Sequence, residues 1–256
     1  MKKLISMLCL ISLSLASYGA TIEGRVTEKG ALGSRIVDKE TGQGIGGAKI
    51  TLPKQNYQTK TDKEGYFELD TSIDGTSIMS VQKDNYKPYT ITIDKESLSK
   101  PLVVGIEKSN THDIAIDTEM HHLGDNSFSE LSANAGEFQA EAVGPFFTKT
   151  FLLKHINLTK PVYLVIGSII GIDTLMARTM GQNSIPNSYS SAPEIYFNGN
   201  KIADIQINGD GQKIKIPSSL IRKNGLNEVT IKTGRNLMTS YIDYDDVEFM
   251  NLIIEN

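Results

Sequence analysis

The stretch EIYFNGNKIADIQI, residues 194–207, decides the fold class of this chain. Apolar and polar side chains alternate on both sides of the dipeptide Asn198-Gly199. Asn-Gly is typical of a type I′ turn, because both residues readily take positive φ, and alternation is typical of a strand with one buried face. The stretch therefore predicts two antiparallel strands joined by a tight hairpin.

Short runs rich in β-branched residues extend this pattern along the chain, with Gly, Asn and Asp between them, whereas long amphipathic helical patterns are scarce. In YTITID, residues 89–94, we expect Tyr89, Ile91 and Ile93 on one face and the threonines on the other. Many short strands separated by turns predict an all-β protein made of β-sandwiches. The runs include AKITLP, GYFELD, TSIMSVQ, YTITID, LVVGIE, PVYLVIGSIIGI, QKIKIP, NEVTIKTG and VEFMNLIIE.

A polar stretch divides these runs into two groups. EKSNTHD, residues 107–113, follows the run PLVVGIE and carries turn-forming residues. We therefore predict two consecutive β-sandwich domains, residues 22–108 and residues 112–256.

The first 20 residues, MKKLISMLCLISLSLASYGA, have the pattern of a secretory signal peptide. Lys2 and Lys3 precede an apolar run that is short for a membrane span, and small residues follow it. We expect a periplasmic or secreted protein without a transmembrane segment. Cys9 is the only cysteine, so the exported chain would fold without disulfides.

The charge of the chain argues against a nucleic-acid partner. There are 26 Lys and Arg residues against 30 Asp and Glu residues, and the basic residues form no cluster. Binding to nucleic acid requires neutralisation of phosphates by clustered cations. We therefore expect no nucleic-acid partner.

The stretch SRIVDKETGQGIGGAKITLPKQNYQTKTDKEGYFELD, residues 34–70, resembles the carboxypeptidase regulatory-like family of transthyretin-like β-sandwiches. The resemblance rests on Val37-Asp38, Thr41-Gly42, Gly47-Ala48 and residues 61–67. Asp38 with Gly42, and Asp62 with Gly65, are predicted to form turns between strands. The resemblance implies a small sandwich that stabilises or spaces another module.

A second resemblance covers most of residues 119–256. HHLGD, the Asn198-Gly199 hairpin, KIPSSLIRKNGLNEVTIKTG at 215–234 and YDDVEFMNLIIE at 244–255 occur in the order seen in galactose-binding-like jelly rolls. Many carbohydrate-binding modules belong to that family. The resemblance implies a jelly-roll domain and a binding function, and it leaves the ligand open.

His121 and His122 raise the question of a metal or catalytic site. Neighbouring residues of a strand point to opposite faces, so two adjacent histidines are poorly placed to bind one metal ion. His112 and His155 are isolated in the sequence. We expect a strand that ends in a turn at Gly124-Asp125, and no catalytic residues.

Two polar segments of the second domain are the candidate ligand site. Residues 173–193 form a long segment rich in Asn, Ser, Pro and Met, and long loops are often functional, although a plain surface loop is an equal alternative. Residues 234–249 carry a second polar cluster before the last strand. The side chains suited to sugar hydroxyls or to stacking are Arg178, Gln182, Asn183, Asn187, Tyr189, Arg235, Asn236 and Tyr241.

Closely spaced carboxylates in the second segment suggest a structural Ca²⁺ ion. Asp243, Asp245 and Asp246 supply the oxygens that calcium prefers, and Glu141 would join them if an early strand pairs near the last one. Jelly rolls of the resembling family often hold such an ion. Solvated loop carboxylates are the favoured explanation, and the pattern lacks EF-hand spacing.

Three functions follow from these observations. The favoured function is an exported, non-catalytic binding protein whose second domain binds a glycan. An envelope or surface component that binds another protein is the alternative, and the absence of tryptophan, a common sugar-stacking residue, favours it. An accessory part of a polysaccharide-degrading system is the least favoured, because acid–base chemistry needs paired carboxylates facing one cleft.

Overall fold

The computed structural model describes residues 33–125, 138, 140–183, 185–186 and 188–256. The predicted signal peptide lies outside these residues, so export stays a prediction. No helix in the described ranges is long and apolar enough to cross a bilayer. In chain order the strands are β1 Ser34–Asp38, β2 Lys49–Leu52, β3 Tyr57–Lys60, β4 Tyr66–Phe67, β5 Ser77–Gln82, β6 Tyr89–Ile93, β7 Val103–Ile106, β8 Ile114–Leu123, β9 Phe146–Leu152, β10 Val162–Ile170, β11 Glu194–Phe197, β12 Asn200–Asp204, β13 Gly209–Ile216, β14 Leu226–Lys232 and β15 Val247–Glu255.

Strands β1 to β7 form the first half of the molecule. One sheet has the order β3-β2-β5-β6 and is antiparallel throughout, and the other has the order β4-β1-β7 with β1 and β7 parallel. The alternation predicted for β6 is confirmed, since Tyr89, Ile91 and Ile93 join the apolar core of this half. The largest fully buried side chains of that core are Ile36, Ile50, Leu52, Met79, Ile93 and Ile106.

The turns predicted in the first half are present. The Asp38 carboxylate accepts hydrogen bonds from the backbone N–H groups of Glu40 and Thr41, and Gly42 has a φ of 70°. Gly65 closes the second turn with a φ of 88°, and its N–H donates to the carbonyl of Asp62. The glycines satisfy the positive φ that these turns require.

Strands β8 to β15 form the second half as two sheets, both of which are antiparallel throughout. Their orders are β13-β10-β15-β8 and β12-β11-β14-β9, and their inner faces enclose a second apolar core that includes Phe197 and Phe249. Asn198 and Gly199 both have positive φ, 49° and 77°, and they join β11 to β12, as the sequence predicts. The predicted all-β sandwich fold is therefore confirmed.

Buried Asn227 stabilises the end of this half that carries the Asn198-Gly199 hairpin. Its amide nitrogen donates to the carbonyls of Arg222 and Gly225, and its amide oxygen accepts from the Arg222 N–H and the Asn198 side chain. One polar side chain thereby ties the Asn-Gly hairpin to the turn before β14. The burial is tolerated because each polar atom of the amide has a partner.

The two halves pack against each other through one sheet face each. Thr92 of β6 donates from its N–H and its hydroxyl to the Asp210 carboxylate, at 3.0 and 2.7 Å. Lys87 forms ion pairs with Asp113 and Glu255. A small apolar cluster also joins the two halves, and its members are Ile78, Met120, Phe138, Ile170 and Met250.

Candidate functional site

The two candidate segments lie at the same end of the second half, which we call the loop end, residues 171–193 and 233–246. The antiparallel pairing of β10 with β15 brings the end of β10 beside the start of β15. In the other sheet, the pairing of β14 with β11 brings the end of β14 beside the start of β11. Leu237 N–H donates to the Tyr189 carbonyl at 2.8 Å, and Ser191 N–H donates to the Arg235 carbonyl at 2.9 Å. The two segments therefore form one continuous surface.

A short helix within the first segment was not predicted. Helix α1, Leu175–Thr179, begins at Thr174, whose side chain accepts a hydrogen bond from the N–H of Ala177. The sequence carried the signal, since a threonine in the cap position precedes Leu, Met, Ala and Arg, which are good helix formers.

A network of buried polar side chains lies inside the loop end and stabilises it. The Asp173 carboxylate accepts from the Asn183 amide at 2.9 Å and from the Ser188 hydroxyl at 2.6 Å. The Asp173 N–H donates to the Asp245 carboxylate at 3.2 Å. Burial, followed by the nearby charge of Asp173, raises the pKa of Asp245 well above its ordinary value.

Two of the predicted ligand residues are part of this network. Asn183 is 6% exposed and its amide bonds Asp173 and Ser188. Asn236 is 8% exposed, donates to the Asp243 carboxylate at 3.2 Å and accepts from the Met238 N–H at 2.8 Å. Both amides therefore shape the loops from inside rather than facing solvent.

The other predicted ligand residues that the structure describes are half-buried or exposed. The Arg178 guanidinium stacks over the Tyr189 ring, 4.7 Å from its centroid, and donates to the Ile185 carbonyl. Arg235 is exposed, and Tyr241 is 61% exposed. Gln182 exchanges two hydrogen bonds with the backbone of Asn208, and Asn187 lies outside the described residues.

Exposed apolar side chains at the loop end were not anticipated from the sequence. Helix α1 and the loop before β15 both display them, and methionine is frequent among them. Exposed apolar groups collected in one region indicate an interaction surface, and methionine adapts to varied partners. They are Leu175, Met176, Met180, Leu237, Met238 and Ile242.

The carboxylates proposed for calcium have other partners. Asp243 bonds Asn236, Asp245 accepts from the Asp173 N–H, and Asp246 bonds His122, while Glu141 is exposed. Within the ranges that the structure describes, no group of three or more His, Cys, Asp or Glu side chains is arranged to hold a metal ion. Calcium therefore stays a prediction of the sequence.

The two adjacent histidines point in opposite directions, as predicted. His121 stacks on Phe147, with ring centroids 4.2 Å apart, and bonds Asp117. The fully buried His122 side chain contacts the Ala140 carbonyl at 2.5 Å through Nδ1 and the Asp246 carboxylate at 2.9 Å through Nε2. Burial lowers the pKa of His122, but the bonds to Asp246 and Ala140 outweigh it, so the net direction is upward.

We expect the stability of the protein to fall as the pH rises through neutrality. A histidine with a raised pKa binds its proton more tightly in the folded state, so its contribution is complete below about pH 6.5 and is lost as the pH rises through the folded pKa. Melting temperatures measured by circular dichroism between about pH 5.5 and about pH 8.5 test this. His122→Gln should flatten the profile, and an unchanged slope would contradict the assignment.

Comparisons with known proteins give little information about this chain. No family model matches it, and no curated protein matches it. Among solved structures it is similar to the crystal structure of a proposed carbohydrate-binding protein from Bacteroides uniformis ATCC 8492, with 10% identity over 87% of this chain and 97% of that chain. The TM-score is 0.19, and a likeness at this level says nothing about function.

Proposed function

We propose that this protein is an exported, non-catalytic binding protein that binds a carbohydrate through the loop end of its second half. The observation that carries the proposal is the stack of the half-buried Arg178 and Tyr189 side chains, beside the backbone hydrogen bond from the Leu237 N–H to the Tyr189 carbonyl. The resemblance of residues 119–256 to galactose-binding-like jelly rolls supports it. The first half would then stabilise or space the binding half, as its resemblance to regulatory-like sandwiches implies.

The chemistry of the stack suits a sugar. In this proposal a pyranose stacks its C–H face on the side of the Tyr189 ring that Arg178 leaves uncovered, and the guanidinium offers N–H donors for hydroxyl oxygens. Arg235 and Tyr241 are exposed on the neighbouring segment and extend the same kinds of contact. A surface that is already ordered loses less entropy when the ligand binds.

Buried hydrogen bonds supply that order. Asp173 holds Asn183 and Ser188 within one loop and reaches Asp245 of the other, so the segments below the stack are fixed together. The buried carboxylates are engaged by internal partners rather than facing a cleft. This favours binding over acid–base catalysis, which needs carboxyl groups placed against a substrate.

A glycan array followed by calorimetry on the full chain tests the proposal. Tyr189→Ala should weaken binding of the best array glycan by about 10-fold, because it removes the stacking face of the site. Tyr66→Ala is a matched control, since Tyr66 lies under Arg35 in a similar stack in the first half. Binding to no glycan, or an equal loss in both variants, would overturn the proposal.

A protein partner is the second candidate function for the same end. The exposed Leu237, Met238 and Ile242 favour it, because large apolar side chains gain more from an apolar protein surface than from a sugar. Pull-down from envelope extracts with the wild type, Leu237→Lys and Tyr189→Ala separates the two functions. A protein lost only with Leu237→Lys would favour this candidate over glycan binding.

A further inference from the structure

A groove of about 750 Å³ runs between the two halves, away from the loop end. Lys87, Tyr89 and Glu107 line it from the first half, and Asp210, Lys213 and Glu255 line it from the second. The volume lies within the range of small-molecule sites, which occur preferentially between domains. A molecule in this groove would therefore contact both sandwiches at once.

A row of ion pairs lines the groove. The Glu255 carboxylate bonds Lys87 at 2.9 Å through one oxygen and Lys213 at 2.6 Å through the other. Glu107 continues the row, with its carboxylate 2.6 Å from Lys39 and 3.7 Å from Lys87. The row presents alternating ammonium and carboxylate groups across the boundary between the halves.

Asp210 also lines the groove and connects the two halves. Its carboxylate accepts from the Thr92 hydroxyl of the first half and the Ser168 hydroxyl of the second, at 2.7 and 2.6 Å. Tyr89 also lines the groove, and burial, followed by the charges of Asp210 and Glu107, raises the pKa of its hydroxyl. Gly105 and Gly211 line the groove without side chains and leave room for a ligand.

The balance of charges selects the class of ligand. Three lysines and three carboxylates line the groove, so a ligand of either sign meets as much repulsion as attraction. Hydroxyl groups both donate and accept, and they can bond to carboxylates and to ammonium groups without breaking the ion pairs. A neutral ligand with many hydroxyls therefore suits the groove better than an ion.

We propose that this groove is a second binding site, for a neutral polyhydroxylated ligand the size of a mono- or disaccharide. It is separate from the loop end, and either site can exist without the other. The ligand would contact both the ion-pair row and Asp210.

The test is a titration of the full, isotopically labelled chain with galactose, glucose, N-acetylglucosamine and lactose, followed by amide NMR. We expect at least one sugar to shift the amide signals of Gly105 and Gly211. Lys213→Met should weaken that binding by about 10-fold, because a bond to a charged group is lost. Lys215→Met, on the same strand but outside the groove lining, should leave it unchanged.

Each other outcome has one meaning. No shift at the groove glycines with any of these sugars overturns the proposal, as does an equal loss in both lysine variants. A shift of the same signals only by a zwitterion such as betaine overturns the ligand class. Sugar-dependent shifts confined to the loop end overturn this site and leave the proposed function intact, whereas groove binding that survives Tyr189→Ala supports it as an independent site.

Discussion

Replacing His122 by alanine is expected to lower the free energy of unfolding by about 3–5 kcal/mol, because it removes the partner of a buried charge. The His122 side chain is fully buried and bonds the Asp246 carboxylate at 2.9 Å, and only 1% of that carboxyl side chain is exposed. Without the imidazole, the buried Asp246 carboxylate loses the hydrogen bond from His122 Nε2. Chemical denaturation followed by circular dichroism, near pH 6, measures the change.

His121→Ala is the matched control from the same strand. His121 bonds Asp117, but Asp117 also has an ion pair with Lys149 at 2.9 Å, so losing the imidazole leaves no unpaired carboxylate. We expect a loss of about 1–2 kcal/mol, mainly from ring contacts with Phe147 and Phe249. Equal losses for the two histidines would contradict the assignment of His122 as the charge partner.

Gly167→Ala is expected to disrupt the packing of the two halves and to cost about 3 kcal/mol. A Cβ atom at this position would lie 2.4 Å from the Thr90 hydroxyl oxygen, 2.8 Å from the Asn251 Cβ and 3.0 Å from the Met250 carbonyl oxygen. Two of these atoms belong to the neighbouring strand β15, so the added methyl group pushes β6 away. Denaturation gives the loss of stability, and small-angle scattering should report a larger radius of gyration.

Gly105→Ala provides the comparison for that variant. A Cβ at Gly105 would meet its nearest atom, in Lys39, at 3.5 Å, an ordinary contact distance. We expect little change in stability or in the radius of gyration. If Gly167→Ala behaved like Gly105→Ala, the close contact of β6 with β10 and β15 would be wrong.

The fold class was predictable because its signals are local. The Asn198-Gly199 hairpin, the alternation in β6 and the opposite directions of His121 and His122 each follow from a few neighbouring residues. The sequence predicted that the threonines of β6 share one face of the strand, but not that this face contacts the second half of the molecule. Thr92 on this face bonds Asp210, which is 118 residues away in the chain, and no local sequence pattern indicates such a contact.

The sequence indicated two candidate segments, but it did not indicate how their side chains are arranged. The sequence placed polar residues on two segments, and the structure joins those segments. Asn183 and Asn236 proved to be buried, because each amide satisfies a loop carboxylate or backbone group that would otherwise lack a partner. The apolar residues of α1 were missed because exposure depends on which side of the helix the rest of the fold covers.

The most direct test of the proposed function is hydrogen–deuterium exchange of the full chain with and without the glycan that binds best in the array. We expect slower exchange in peptides from residues 171–193 and 233–246, with exchange in the sheets of the first half unchanged. Binding that slows exchange only in strands β1 to β7, or no binding by any glycan, would contradict it.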